Sequence, residues 1–318
     1  MKKENNPVSQ EKFKTLIGGQ ALIEGIMMQG PDRVATVVKK PDGSHVVREE
    51  DYVPLAKCSK LCGIPFIRGI FIFGGSIKNG TRQIMFSANE AEVEEGEPTK
   101  FDKWVERRIG MEKAEKILMS IAVALGVILP VGLFILLPTI LSGIVTFPER
   151  LWWLRSLTEG VLRLVIFIGF LFLTSLMKDM RRTYGYHGAE HKTIHCYEAE
   201  EELTVENVRR HTRKHPRCGT SFLFVVMIIS ILVFSFVRVD NAWLRLLLRL
   251  ALLPVVVNIS YEANRLVGRY DNWLTRSLRA PGLALQALTT KEPDDEMISV
   301  AIDALARVIP AEKDADTW

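Results

Sequence analysis

The chain has 318 residues, 41 Lys and Arg against 37 Asp and Glu for a net charge of +4, and 48% hydrophobic residues. A mean hydropathy of +0.13 in a chain with this many charges requires the apolar residues to be gathered in blocks, which argues against an ordinary soluble globule. The composition is neither disordered nor collagen-like, the small net charge gives no reason to expect nucleic-acid binding, and four cysteines are too few for a disulfide scaffold, which fits a reducing compartment.

Met1 to Thr15 is polar and lysine-rich with no apolar stretch after it, so a cleaved signal peptide is not expected and the N-terminus is assigned to the cytoplasm. Gly18-Gly19 and Gly74-Gly75 lack the spacing of a phosphate-binding loop and read as tight turns. Val34 to Lys39 and His45 to Arg48 are β-rich and joined by Pro41-Asp42-Gly43, which predicts a hairpin with His45 on its surface. Cys58 and Cys62 read as structural or incidental. Ile64 to Phe73 is apolar but interrupted by Pro65, Arg68 and Gly69; it is too short to span and is expected on the membrane surface or against the core. Glu90 to Glu97 reads as a solvated linker into a basic helix at Lys100 to Lys116. Residues 1–100 are thus expected to form a small cytoplasmic α+β domain.

The segment 101–268 is expected to hold the transmembrane region. Ile117 to Pro148 is a run of 32 uncharged residues, too long for one span of about 20 residues. Its prolines suggest a span over 117–138, then a kinked or surface-lying segment through Phe147. Further spans are expected at 156–177, 219–237 and 242–261. Arg245 and Arg249 lie one helical turn apart in the last of these and must snorkel or pair, with Glu159 as one partner. Residues 178–220 carry nine basic residues, whereas the loops 139–154 and 238–241 carry one each. The positive-inside rule then places 178–220 and both termini in the cytoplasm. The fold class expected is a mainly α, polytopic membrane protein of about four spans, with a C-terminal helical tail over 269–318 whose last helix opens at Glu292-Pro293-Asp294-Asp295.

The chemistry-bearing stretch is Tyr186-His187-Gly188-Ala189-Glu190-His191, an H-x-x-E-H pattern followed by His195, Cys196 and Glu198. In that order two histidines one helical turn apart can hold zinc while the glutamate activates water. His187 and His191 would lie about 6 Å apart along a helix, but His187 and His195 about 12 Å, so a straight helix cannot bring all three to one ion. A helix starting late, past Gly185 and Gly188, would instead let His187 fold back toward His191 and His195. Glu198 suits a supporting role or a different ion. His215-Pro216-Arg217-Cys218 adds an imidazole and a thiolate just before the third span, and Glu262, 71 residues after His191, is placed where a downstream glutamate ligand falls in such enzymes.

These residues resemble a YqhQ-type family of bacterial membrane proteins, a domain-of-unknown-function family often labelled as metal-dependent enzymes. The resemblance covers most of the chain. It rests on Gly18 to Met28, on Tyr186 to Lys192 with Tyr197-Glu198, on His215 to Ser221, and on Pro281-Gly282-Leu283 with Leu288-Thr289-Thr290. It implies roles for His187, Glu190, His191, Glu198, His215 and Cys218 but not for His195, and it includes Glu24. Where the family has Arg after the paired methionines, this chain has Gln29.

The leading expectation is a multi-pass enzyme of the bacterial inner membrane, a hydrolase with a metal on the cytoplasmic face. Its ligands would be His187 and His191 with one or two of His215, Cys218 and Glu262, and Glu190 would be the general base. Thiolate and imidazole favour zinc, with iron the alternative. The competing expectation is a non-enzymatic membrane adaptor with a structural metal site. The bilayer is the one partner expected; homo-oligomerisation is compatible with the sequence.

Overall fold

The computed structural model describes residues 13–53, 60–91, 124–144 apart from 127, 152–270 apart from 238 and 240, 272–312 and 315–316, with isolated positions at 110, 117, 120 and 121. Near the N-terminus the Pro41-Asp42-Gly43 turn joins β3 (Arg33–Lys39) to β4 (His45–Asp51). Gly43 takes φ 83° there, and the Asp42 carboxylate accepts from the Ser44 backbone at 2.8 Å and hydroxyl at 2.6 Å. The sheet is larger than a hairpin. β1 (Gly18–Leu22) and β2 (Gly25–Gln29) extend it to four antiparallel strands in the order β1-β2-β3-β4. Gly18-Gly19 is therefore strand, and the turn falls at Ile23-Glu24, where Glu24 takes φ 51°.

Strand alternation sends Ile26 and Met28 of β2 and Ala35 and Val37 of β3 to one face. That face meets α4 (Lys178–Glu198), α5 (Val205–Arg210) and α9 (Asp295–Ala306) in a single core. The terminal helix is capped by Asp294, whose carboxylate accepts the Met297 N–H at 2.8 Å. Its Ile298 and Leu305 are fully buried, worth about 1.5–3 kcal/mol each. Stretches that the sequence assigns to three separate regions thus share one hydrophobic interior.

The other sheet face packs beneath α1 (Arg68–Glu90), where Thr36 donates to Gln83 at 3.0 Å. This helix runs through Gly74-Gly75, where a turn is expected from the sequence, and takes in part of the interrupted apolar segment. Its buried face is small and polar, Gly69, Gly80, Gln83 and Ser87, whereas Ile70, Phe71, Ile77 and Ile84 are exposed. Gly69 lets it press against α7 (Ala242–Arg269): a Cβ there would stand 2.8 Å from Asn258 Oδ1. The linker and basic helix expected over 90–116 lie almost wholly outside the described residues, as does Cys58. Cys62 is buried beside a short 3-10 turn.

Among the described residues three helices are long and apolar enough to cross a membrane: Ala124–Ile144, Leu154–Leu176 and Trp243–Arg269. A fourth, α6 (Gly219–Ser235), is equally apolar but has 17 residues, shorter than the span expected over 219–237. The first helix does not stop at Pro138. A π-helical segment, Gly132–Leu136, precedes α2 (Leu137–Ile144), and widening the turn there accommodates the proline. The carbonyl of Phe134 in this segment accepts from Arg163 Nε at 2.8 Å.

These helices carry four charged residues inside, whereas Arg265 and Arg269 at the end of α7 are exposed. Glu159 and Arg163 of α3 (Trp152–Leu176) and Arg245 and Arg249 of α7 are buried, while Val165, Phe172, Leu173 and Leu247 face outward. Glu159 is the hub: Arg249 grips both of its oxygens, Arg163 donates at 3.1 Å and Thr139 at 3.0 Å. Arg245 instead donates to the Val239 carbonyl at 2.8 Å. Past α6 and α7, α8 (Trp273–Thr289) leads back to the shared core.

Candidate metal centre

α4 is unbroken from Lys178 to Glu198, so the late-start arrangement does not occur. Its glycines serve close packing. A Cβ on Gly188 would lie 2.0 Å from the Lys291 carbonyl oxygen, and one on Gly185 2.7 Å from Met297 Sδ. Helical spacing puts the His187 and His191 rings 4.4 Å apart. His187 Nδ1 meets the Thr289 carbonyl at 2.8 Å and His191 Nδ1 the Arg213 carbonyl at 2.7 Å. Only an N–H can satisfy a carbonyl, so both Nδ1 atoms carry the proton and both Nε2 atoms are left bare. His187 Nε2 lies 3.2 Å from Cys218 Sγ, and the buried His191 Nε2 has no hydrogen-bond partner among the described residues. One ligand atom from each of His187, His191 and Cys218 falls within 4.8 Å of the others.

His215 does not join that group. Cys218 caps α6 with extended backbone at ψ 145°, so the residues before it are not one helical turn and the H-x-x-C pair splits. Gln286 holds His215 by its backbone, accepting its N–H and donating to its carbonyl, both at 2.8 Å. The ring lies instead beside His195, at 4.6 Å between centroids, and Glu198, at 3.5 Å. Glu262 is also elsewhere: Arg68 binds its carboxylate through two nitrogens and the Phe66 N–H approaches it at 3.3 Å. The downstream-glutamate analogy fails because a partner on α1 already satisfies this carboxylate.

A cavity of about 130 Å³ opens beside the cluster, lined by Glu190, His191, His215, Arg217 and Cys218 together with the chain from Thr15 to Gly19. Gly19 is required here, since a Cβ would come within 2.9 Å of the Glu190 side chain and of the Met27 carbonyl oxygen. Sequence reasoning missed that role, which only strand pairing reveals. Glu24, a family residue without a chemical reading, ties the β1–β2 turn to α4: Arg182 holds both its oxygens and the Tyr186 hydroxyl lies 3.3 Å away. Cys196 is buried, which pushes its thiol up to about 11 and keeps it protonated.

Burial raises the Glu190 carboxyl above its usual range, opposed by His187, His215 and the Gly19 backbone. Burial also lowers His191, and it pushes His215 and His195 down to about 4, the latter helped by the nearby His215 ring. A histidine whose folded value is depressed binds its proton more readily when unfolded, so its stabilisation is present above the ordinary value of 6.5 and is lost as pH falls toward 4. Glu190 acts in the opposite sense, losing stabilisation as pH rises through its folded value. Metal-free protein is therefore expected to lose thermal stability from pH 6.5 downward, and more steeply as Glu190→Gln than as wild type. Equal slopes in a thermal-shift series would refute the opposition.

A family model described as "Protein of unknown function (DUF1385)" matches residues 64–311, and the chain belongs to that family. It is 33% identical over 308 residues, 96% of each chain, to "Uncharacterized protein YqhQ" of Bacillus subtilis (strain 168). No solved structure matches it.

Proposed function

We propose that this chain is a metal-dependent hydrolase embedded in the bacterial inner membrane by four spans, Gly219–Ser235 being the shortest, with both termini and the metal centre on the cytoplasmic face. The inside-out arrangement of the apolar helices, four charged residues in and aliphatic side chains out, supports contact with lipid, and the basic residues of 178–220 support the orientation. The observation that carries the metal reading is the donor set. Two imidazoles present bare Nε2 atoms, one of them buried without a partner among the described residues, beside a cysteine thiol, and zinc suits these donors better than other common ions, with iron second.

Three protein ligands leave a fourth position, the arrangement of catalytic rather than structural zinc, and a cavity lies beside it. A cation held there would supply Lewis acidity and lower the pKa of water. The residues then divide the work: His187 and His191 bind through Nε2, and the carbonyls of Thr289 and Arg213 fix their rings. Glu190 accepts the proton from water at its carboxylate. Burial raises its carboxyl above the usual range, which strengthens the carboxylate as a proton acceptor, and the Gly19 backbone orients it. The reaction class this supports is hydrolysis of a substrate delivered from or along the membrane.

Elemental analysis of detergent-purified chain tests this: zinc or iron in wild type, with one equivalent fewer in His187→Ala, His191→Ala and Cys218→Ala. Metal-free wild type would remove the centre. One observation favours a second reading, a structural staple in a non-enzymatic adaptor: the same two histidines tie α4 to the ends of α8 and of the 211–218 loop.

A further inference from the structure

We propose that His195, Glu198 and His215 form a second cation site beside the first. One ligand atom from each lies within 4.8 Å of the others. The proposal extends the metal-centre reading but does not require the first site to be loaded.

His195 Nε2 donates to the Lys214 carbonyl at 2.9 Å, so its Nδ1 is the bare nitrogen. His215 Nε2 is buried and has no hydrogen-bond partner among the described residues. Glu198 uses Oε1 for Arg217 and for the Thr15 N–H at 3.0 Å, and its Oε2 stands 3.5 Å from His215 Nε2. That separation exceeds an ordinary N–H···O hydrogen bond of about 2.7–3.2 Å. It does match two ligands sharing one ion: donors about 2.1 Å from a tetrahedral cation stand roughly 3.4 Å apart. His215 can turn its bare nitrogen to an ion by moving the proton to Nδ1, at the expense of a long contact from the Arg217 N–H at 3.4 Å.

The two groups adjoin, since the His191 and His215 rings are 5.6 Å apart between centroids, and both His191 and His215 line the cavity beside Glu190. Two cations about 3.5–4 Å apart are the arrangement by which hydrolases grip both the attacking and the leaving oxygen, and it needs two ligand groups on one cavity, as here. The donors also differ in kind. The first group has a thiolate and favours softer ions, whereas the second, two imidazoles and a carboxylate, accepts harder ones.

Cobalt(II) titration of the detergent-purified full chain, with elemental analysis, separates the sites, because only the Cys218 group gives a thiolate-to-cobalt charge-transfer band. Two equivalents are expected in wild type. Glu198→Gln and His195→Gln should each retain one equivalent and the band, while Cys218→Ala should retain one equivalent and lose the band. The amide of His195→Gln can still donate toward the Lys214 carbonyl, so this variant guards against a folding failure in Glu198→Gln. A single wild-type equivalent lost only in Cys218→Ala, or two equivalents kept in both glutamine variants, would overturn the second site and leave the first intact. A single equivalent lost in the glutamine variants but kept in Cys218→Ala would uphold the second and sink the first, and no binding would overturn both.

Discussion

Glu159→Ala is expected to destabilise the chain by about 3–5 kcal/mol, because it strands buried arginines whose charge nothing else cancels. The side chains of Glu159, Arg163 and Arg249 are each about 95% or more enclosed, so water cannot take over the lost partner. Arg249 would lose two charge-assisted bonds and Arg163 one, while Thr139 keeps the Ile135 carbonyl as its acceptor at 2.7 Å. Arg249→Lys should cost less, since it keeps the charge but replaces a planar two-pronged contact by a point donor. Thermal unfolding in detergent reads both, and a Glu159→Ala protein with the wild-type midpoint would show that the cluster is solvated.

Glu190→Gln is expected to lower turnover by about 10²–10⁴-fold while leaving metal content unchanged. The amide has the shape of the acid and still fits between Gly19 and the cavity, but it cannot accept a proton. The loss should appear with whichever peptide, lipid or phosphate ester a substrate screen shows the wild type to cleave. If the centre is a staple instead, Glu190→Gln should be indistinguishable from wild type, whereas His191→Ala and Cys218→Ala should lower abundance. Full activity in Glu190→Gln would dismiss this residue as the base even with metal present.

Much of the fold is legible where local chemistry is strong. The Pro41-Asp42-Gly43 turn announces its hairpin, and Asp294 and the acidic residues after it announce α9. The strands β1 and β2 hide because their glycines and methionines carry little strand signal and their turn uses Glu24 in a left-handed conformation that Gly or Asn usually takes. Helix α1 hides for a different reason: its apolar residues face outward, so the usual rule for finding a buried face points the wrong way.

For the site, spacing on a helix is reliable information and spacing in a loop is not. His187 and His191 meet as the i, i+4 rule demands, and Cys218 joins them. His215 is only three residues from Cys218, yet it lands in the other group because no helix links them. The partnership of His195 with His215 joins α4 to a loop twenty residues away, and the capture of Glu262 by Arg68 spans nearly two hundred. Neither has a local signature.

The shared core has a consequence for how the protein is made. Its strands precede all of the long apolar helices, its middle helix follows the second of them, and its last wall, Met297 to Val308, is synthesised after them all. During translation the sheet and α4 stay incompletely covered until α9 has left the ribosome. The Thr289 carbonyl that aligns His187 arrives only shortly before it. A chain cut short after α7 would therefore retain its long apolar helices while its histidine cluster stayed unframed, without the Thr289 carbonyl that aligns His187.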